Sequence, residues 1–146
     1  REVLKRAAVV GRIFWDQIIA YLYKNTGSAS ILLEHVDELL ASLRAGELIF
    51  RREQSVFTGM QEYLFKHTLL RDVTYEMVLL RQRRQYHAQA AQWLIEQSGE
   101  RVEEYAGLIG GHYEKARQLD QAASWYGRAG KHAQAAHAPE VAIHYY

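Results

Sequence analysis

The stretch Tyr63–Val78, YLFKHTLLRDVTYEMV, changes its hydrophobic period halfway along. Up to His67 every second side chain is large, with Tyr63, Phe65 and His67 on one side, as in a strand. Beyond it Leu70, Val73, Met77 and Leu80 recur at three and four residues, as in a helix. A strand thus runs straight into a helix, with a histidine at the joint.

Upstream, Glu2 to Val10 reads as a helix with Val3, Leu4, Ala7, Ala8 and Val10 as its apolar face, and Gly11 ends it. A second helix is expected from Phe14 to Tyr23, with Phe14, Ile18, Tyr21 and Leu22 spaced for burial. KNTGSAS (residues 24–30) has the composition of a loop. Ser30 is placed to cap a third helix with the stripe Leu32, Leu33, Val36, Leu39, Leu40 and Leu43, and Gly46 follows as a left-handed stop. ELIFRR (47–52) and QEYLFKH (61–67) read as two strands around a polar loop containing Gly59. Three short helices followed by a two-stranded hairpin is the order of a winged helix, here over residues 1–68, with strand confined to the hairpin.

Residues 69–99 form a connecting helix or helices, with Gly99 as the stop. The stripe Leu70, Val73, Met77, Leu80 is interrupted by RQRRQ (81–85) and resumes as Tyr86, Ala90, Trp93 and Leu94. Either the helix breaks near Leu80 to Gln82, or one long helix changes its packing partner there. From residue 100 to 146 the chain is rich in alanine and aromatics. Gly110 and Tyr113, then Ala122, Tyr126 and Ala129, with Ile109 in the leucine position, reproduce the spacing of a tetratricopeptide repeat. Ala106 stands for its tryptophan and Gln134 for its proline. Asp120 is expected to cap the repeat's second helix, and Pro139 to open the next repeat. The fold class is therefore mainly α, a winged helix followed by tetratricopeptide-like helical repeats.

Composition sets the limits. The 146 residues carry a net charge of +1, 49% hydrophobic and 24% charged side chains, and no cysteine. That is a globular composition without a disulfide framework or thiolate metal site, as expected of a cytoplasmic protein. No apolar run is long enough to span a bilayer, and no signal peptide is visible, so no membrane partner is expected. The near-neutral charge does not recruit nucleic acid or anionic lipid. A start at Arg1 and an end on AIHYY inside a helical pattern suggest a piece of a longer protein.

LKRAAVVGRIFWDQII, LLASLRAGELIF, YLFKHTLLRDVTYEMVLLRQRRQYHAQAAQWLIE and GGHYEKARQLDQAASWYGRAGKHA resemble, in that order, one family's middle section. It is the region after the nucleotide-binding module of signal-transduction ATPases with numerous domains (the STAND class). Bacterial AAA-type ATPases fused to class III adenylate or guanylate cyclases, or to helix-turn-helix regulators, are the nearest in pattern. The resemblance implies a regulatory segment that couples ATP or ADP in the parent protein to a repeat sensor. Its partners would be an upstream nucleotide-binding domain, downstream repeats, and a protein or signal ligand bound by the repeats. This chain has no GxxxxGK[ST] segment and no cyclase domain, so it is expected to hold no cofactor by itself and to catalyse nothing. In plant resistance proteins and apoptosome ATPases the winged helix ends in a Met-His-Asp signature whose histidine contacts the ADP β-phosphate. FKHTLLRDV is similar, with His67 in the histidine's place and Thr68 where the aspartate would be.

Each candidate has a bland alternative. His67 is a nucleotide sensor or a histidine at a helix start. Arg81, Arg83 and Arg84 are an anion or partner surface or a solvated helix face. Tyr113 and Tyr126 are interaction candidates of the repeat or packing residues. The expected third helix carries Glu34, Asp37 and Glu38 against Arg44, which phosphates would repel, so nucleic acid is disfavoured. His137, Glu140 and His144 lack a fixed zinc spacing, and Pro139 interrupts them, so no metal is expected. Ala142, Ile143, Tyr145 and Tyr146 end the chain with apolar side chains, which are expected to fray or to pair with a second copy as a product of truncation.

Overall fold

The computed structural model describes residues 1–24 and 33–135. The expected cap at Ser30, Leu32 of the stripe, Pro139, the His137–Glu140–His144 group and the apolar C-terminal residues lie outside what is described. The molecule is mainly helical, with a small three-stranded antiparallel sheet. It divides into two units, Arg1–Tyr86 and His87–Tyr146.

In the first unit, helix α1 (Glu2–Val10) buries Val3, Ala7, Ala8, Val9 and Val10. Gly11 ends it at φ 143°, a conformation that suits glycine. The chain then leaves as strand β1 (Ile13–Trp15) before helix α2 (Asp16–Lys24), which buries Ile18, Ile19 and Leu22. Strand is therefore not confined to a hairpin, and the expected helix at Phe14 starts two residues later. Phe14 is buried either way, so spacing alone does not separate the two outcomes. The difference is made by a distant partner, β3.

Helix α3 (Leu33–Ala45) buries Val36 and Leu40. Strands β2 (Ile49–Arg51) and β3 (Glu62–Phe65) follow, in the sheet order β1-β3-β2. Phe65 N–H donates to Arg12 O and Asp16 N–H to Gln61 O, whereas Lys66 N–H donates to Leu48 O and Arg52 N–H to Glu62 O. Odd-numbered residues of the central strand thus serve β1 and even-numbered residues serve β2. Phe14, opposite Tyr63, stacks on it at 5.7 Å and meets Phe65 at 5.6 Å. With Ile49, Ile18, Leu22 and Leu40 these rings form the core on one face of the sheet. On the other face Trp15 packs on Phe57 at 5.0 Å.

The left-handed stop after α3 falls on Glu47 (φ 58°), not on Gly46. Leu48 N–H donates to Leu43 O and Glu47 N–H to Arg44 O, the paired bonds of a Schellman motif with Glu47 in the position glycine usually holds. Glycine content locates such a stop to within a residue, and the bonding decides which residue turns.

Helix α4 (Thr68–Glu76) and helix α5 (Leu80–Ser98) are separated by Met77–Leu79, so the connecting segment breaks, slightly earlier than expected. Met77 and Val78 N–H groups donate three residues back, and Arg83 folds over the break, with Nε donating to Val78 O at 2.9 Å and Nη2 to Glu76 O at 3.3 Å. The break places Val78 in the core. Of the expected stripe only Leu70 is even half-buried: Val73, Met77 and Leu80 are exposed, and Thr74 and Val78 are buried in their place. Arg71, half-buried, donates from Nε to Ala8 O at 2.8 Å, satisfying a carbonyl at the end of α1.

In the second unit, Gly99 (φ 51°) ends α5 as expected, and a 3₁₀ helix covers Gly99–Tyr105. Helices α6 (Ala106–Lys115) and α7 (Leu119–Ala135) then pack on each other. Asp120 lies inside the first turn of α7 and does not precede it as a cap. Arg117 (φ 66°) closes α6 by the same pair of bonds that Glu47 uses, from Gln118 N–H to Tyr113 O and from Arg117 N–H to Glu114 O.

Glu62 tests the first unit's construction. Its Oε1 accepts from Trp15 Nε1 at 2.9 Å and from Val56 N–H at 3.0 Å, and its Oε2 pairs with Arg52 at 3.0 Å. Glu62→Ala takes the carboxylate away from Trp15, Val56 and Arg52 alike and is expected to lower stability by about 2–3 kcal/mol. Glu62→Gln keeps an oxygen for both donors and is expected to cost about 1 kcal/mol or less. Urea denaturation of the two variants separates these outcomes.

Candidate functional site

His67 stands between β3 and α4 with extended backbone (φ −123°, ψ 131°) as the residue preceding the first helical turn. Its side chain is exposed and makes no capping hydrogen bond. Thr68 and Leu69 beside it are exposed as well. The joint is held from behind: Arg71 ties the first turn of α4 to Ala8, stacks on Tyr75 at 4.6 Å and pairs with Asp72 at 3.3 Å. An exposed imidazole at a helix start, on a backbone fixed by a neighbouring arginine, can donate to an anionic oxygen that approaches from outside.

The three arginines of RQRRQ do not act alike. Arg83 caps the break between α4 and α5 and stacks on Tyr75 at 4.8 Å, so it is a structural cation. Arg81 and Arg84 are exposed, and among the described residues neither forms an ion pair. The sequence does not single out Arg6, which is buried. Its guanidinium lies 3.7 Å over the Tyr23 ring and 5.1 Å from that of Tyr86, and Nη1 donates to Glu2 O at 3.2 Å. Two aromatic faces thus take the place of solvent around a buried charge.

The surface of α3 matches its sequence: Glu34, Asp37, Glu38 and Arg44 are all exposed. Asp16, at the start of α2, accepts from Gln17 N–H at 2.8 Å and from Gln61 N–H at 3.1 Å. Its carboxyl is nonetheless held above the ordinary value of 3.8, by burial first and by the charge of Asp37 among the further causes. A cleft of about 480 Å³ between α3 and β2 is lined by Arg44, Arg51 and Glu47 over Ala41, Ala45 and Ile49. Two arginines stand there against one glutamate, which is itself paired with Lys66.

In the second unit, Tyr113 is 4% exposed and packs inward, and burial raises its phenol above the usual value. Tyr126 is half-buried, and its hydroxyl donates to Glu114 at 2.7 Å. Its ring lies over Gly110, where an added Cβ would stand 3.0 Å from the ring carbons. His87 and His112, both buried, approach with Nδ1 to Nδ1 at 2.8 Å. One ring must donate and the other accept, so the pair holds one shared proton and is not a ready-made metal site. Among the described residues there is no group of three or more metal-ligating side chains, and no helix is long and apolar enough to cross a membrane. The signal for His87 is present in the sequence: it precedes Ala90, Ala91 and Leu94, all buried, by three, four and seven residues.

No family model, curated protein or solved structure matches this chain.

Two expectations follow. Gly110→Ala forces the Tyr126 ring, anchored through its hydroxyl, to shift, and is expected to cost about 1–2 kcal/mol despite the better helix former. Adding Tyr126→Phe releases the anchor and should recover part of that cost, a non-additivity that a double-mutant cycle in thermal unfolding measures. Asp16→Asn keeps the oxygen that accepts both main-chain donors and removes a charge the fold disfavours. Because the folded carboxyl titrates above its unfolded value, the native protein loses stability as pH rises through that interval. Asp16→Asn should therefore melt a few degrees higher than the native chain at neutral pH, with the gain vanishing below the ordinary carboxylate range.

Proposed function

We propose that this chain is a non-catalytic regulatory and interaction segment of a multidomain signal-transduction ATPase. In this reading a winged helix over residues 1–68 and tetratricopeptide-like helices from residue 100 couple a nucleotide state to a sensor. The observation that carries the proposal is the joint at His67, where a strand delivers an exposed imidazole to the start of a helix. Helix N-termini favour anions, so the free N–H groups at the start of α4 and the His67 ring can address one phosphate group together. The helix and strand order α1-β1-α2-α3-β2-β3 supports the winged-helix part, and the close seat of Tyr126 on Gly110 supports the repeat part. The chain has no phosphate-cradling GxxxxGK[ST] loop, so ATP or ADP would be held by a P-loop domain outside these residues, in a cytoplasmic protein.

A duplex-binding regulator with a helical effector domain is the alternative. The exposed acids of α3 weigh against it, because they would meet phosphates.

The test is made on the encoded protein at full length. His67→Ala is expected to weaken ADP retention and raise basal output by roughly ten- to a hundredfold, the equivalent of one charge-assisted hydrogen bond of about 1.5–3 kcal/mol. Nucleotide content of the purified protein and its basal activity are the readouts. A stable variant with both unchanged would return His67 to a purely structural role, and a full-length protein without a P-loop would remove the proposal altogether.

A further inference from the structure

Strand β2 lies at the edge of the sheet, with β3 on one side only. Its hydrogen-bonded pairs with β3 are Leu48 with Lys66, Phe50 with Leu64 and Arg52 with Glu62. Alternation then turns the main-chain N–H and C=O groups of Ile49 and Arg51 away from β3, toward the outer edge. No described residue bonds to these four groups. The cleft of about 480 Å³ between α3 and β2 opens along this edge. The side chains of Ile49 and Arg51 stand on one face of the sheet and that of Phe50 on the other, yet all three residues line the cleft, together with Ala41, Arg44 and Ala45 of α3. A space that touches both parities of a strand reaches its edge.

The charge of the cleft defines what fits there. Arg44 and Arg51 are exposed, and neither forms an ion pair among the described residues. Glu47, the acid of the lining, is paired with Lys66 at 3.7 Å. Asp37, one turn before Ala41 on α3, pairs with neither arginine and is not part of the lining. On the other face of the strand the Phe50 ring is 47% exposed. Unbonded edge groups accept a strand, two guanidinium groups without counter-charge accept carboxylates, and the ring accepts an apolar neighbour. We propose that β2 takes up an extended acidic segment of a partner protein, added antiparallel as a fourth strand along the cleft. Acids opposite Arg51 and Ile49 exchange main-chain hydrogen bonds with them and carry their carboxylates on the α3 side, where Arg44 and Arg51 stand. The apolar residue between the two acids lies beside Phe50. An edge of three residues offers four main-chain bonds, so the association is weak and steered by charge, and the same cations turn basic strands away.

The probe is a seven-residue peptide of alternating glutamate and valine, glutamate at both ends and both termini capped, added to the 146-residue chain. Binding followed by NMR is expected to slow hydrogen exchange at the Ile49 and Arg51 amides and to leave Phe50, already bonded to β3, unchanged. Arg51→Glu, at an exposed position, should weaken binding by about tenfold or more while preserving the melting temperature. N-methylation of the two inner glutamates keeps every charge but removes the N–H groups that face β2, and should weaken binding at least as much. The same modification of two valines, whose N–H groups face solvent, should leave binding in place. A peptide that does not bind at millimolar concentration overturns the proposal, as does binding indifferent to Arg51→Glu. Equal binding of the two methylated peptides overturns it as well, since the cleft would then hold an anion without accepting a strand.

Discussion

Glu62 sits on the central strand at 2% exposure, and groups from three separate segments converge on its two oxygens. Trp15 arrives from β1, Val56 from the loop that crosses the outer face, and Arg52 from the end of β2. A buried carboxylate is tolerated only when its oxygens are hydrogen-bonded, so the three segments must be present together for any of them to be in place. With Glu62 satisfied, Trp15 and Phe57 cover one face of the sheet, and Phe14, Tyr63 and Phe65 are left to face the helices. The sheet is small, and much of its definition rests on this one polar contact.

The second constraint is positional. Arg71 connects the start of α4 to the end of α1, and Arg83 closes the other end of α4. Both guanidinium groups lie over the same ring, Tyr75. Helix α4 is thus held by cations at both ends, while one of its sides buries little. That explains how a short helix can present Leu69, Val73 and Met77 to solvent and still be ordered. It also fixes where His67 stands, since the backbone just beyond it cannot move without disturbing α1.

Legibility in the sequence followed the range of the interactions involved. Helix α1 and its Gly11 stop, the strand-to-helix joint at His67, the Gly99 stop and the spacing that seats Tyr126 on Gly110 depend on near neighbours or on a period, and they were visible. Strand β1 was not, because Phe14 fits a helical stripe as well as a strand, and only pairing with Tyr63, far along the chain, decides between them. The exposed stripe on α4 shows the same limit from the other side: apolar period predicts which residues share a face, not which face meets the core. Arg83 looked like one of three equivalent cations, but a break in the helix put main-chain carbonyls within its reach. The buried pair His87 and His112 joins two helices whose individual patterns say nothing of each other. His67 itself was legible as a position, because the change of period on its two sides is local.

The alternation along β3 has a consequence for which lengths of chain are viable. Because Gln61, Tyr63 and Phe65 belong to one neighbour and Glu62, Leu64 and Lys66 to the other, inserting or deleting one residue within β3 exchanges both partners at once. It also turns the buried rings to the outer face and Glu62 toward the apolar core. The loop before it is different: around Gly59, which has open space about its Cα, an added residue disturbs neither Val56 nor Phe57. Natural length variation in this protein's relatives should therefore gather at residues 58–60 and be missing from 61–66, a pattern of gaps set by the parity of one strand.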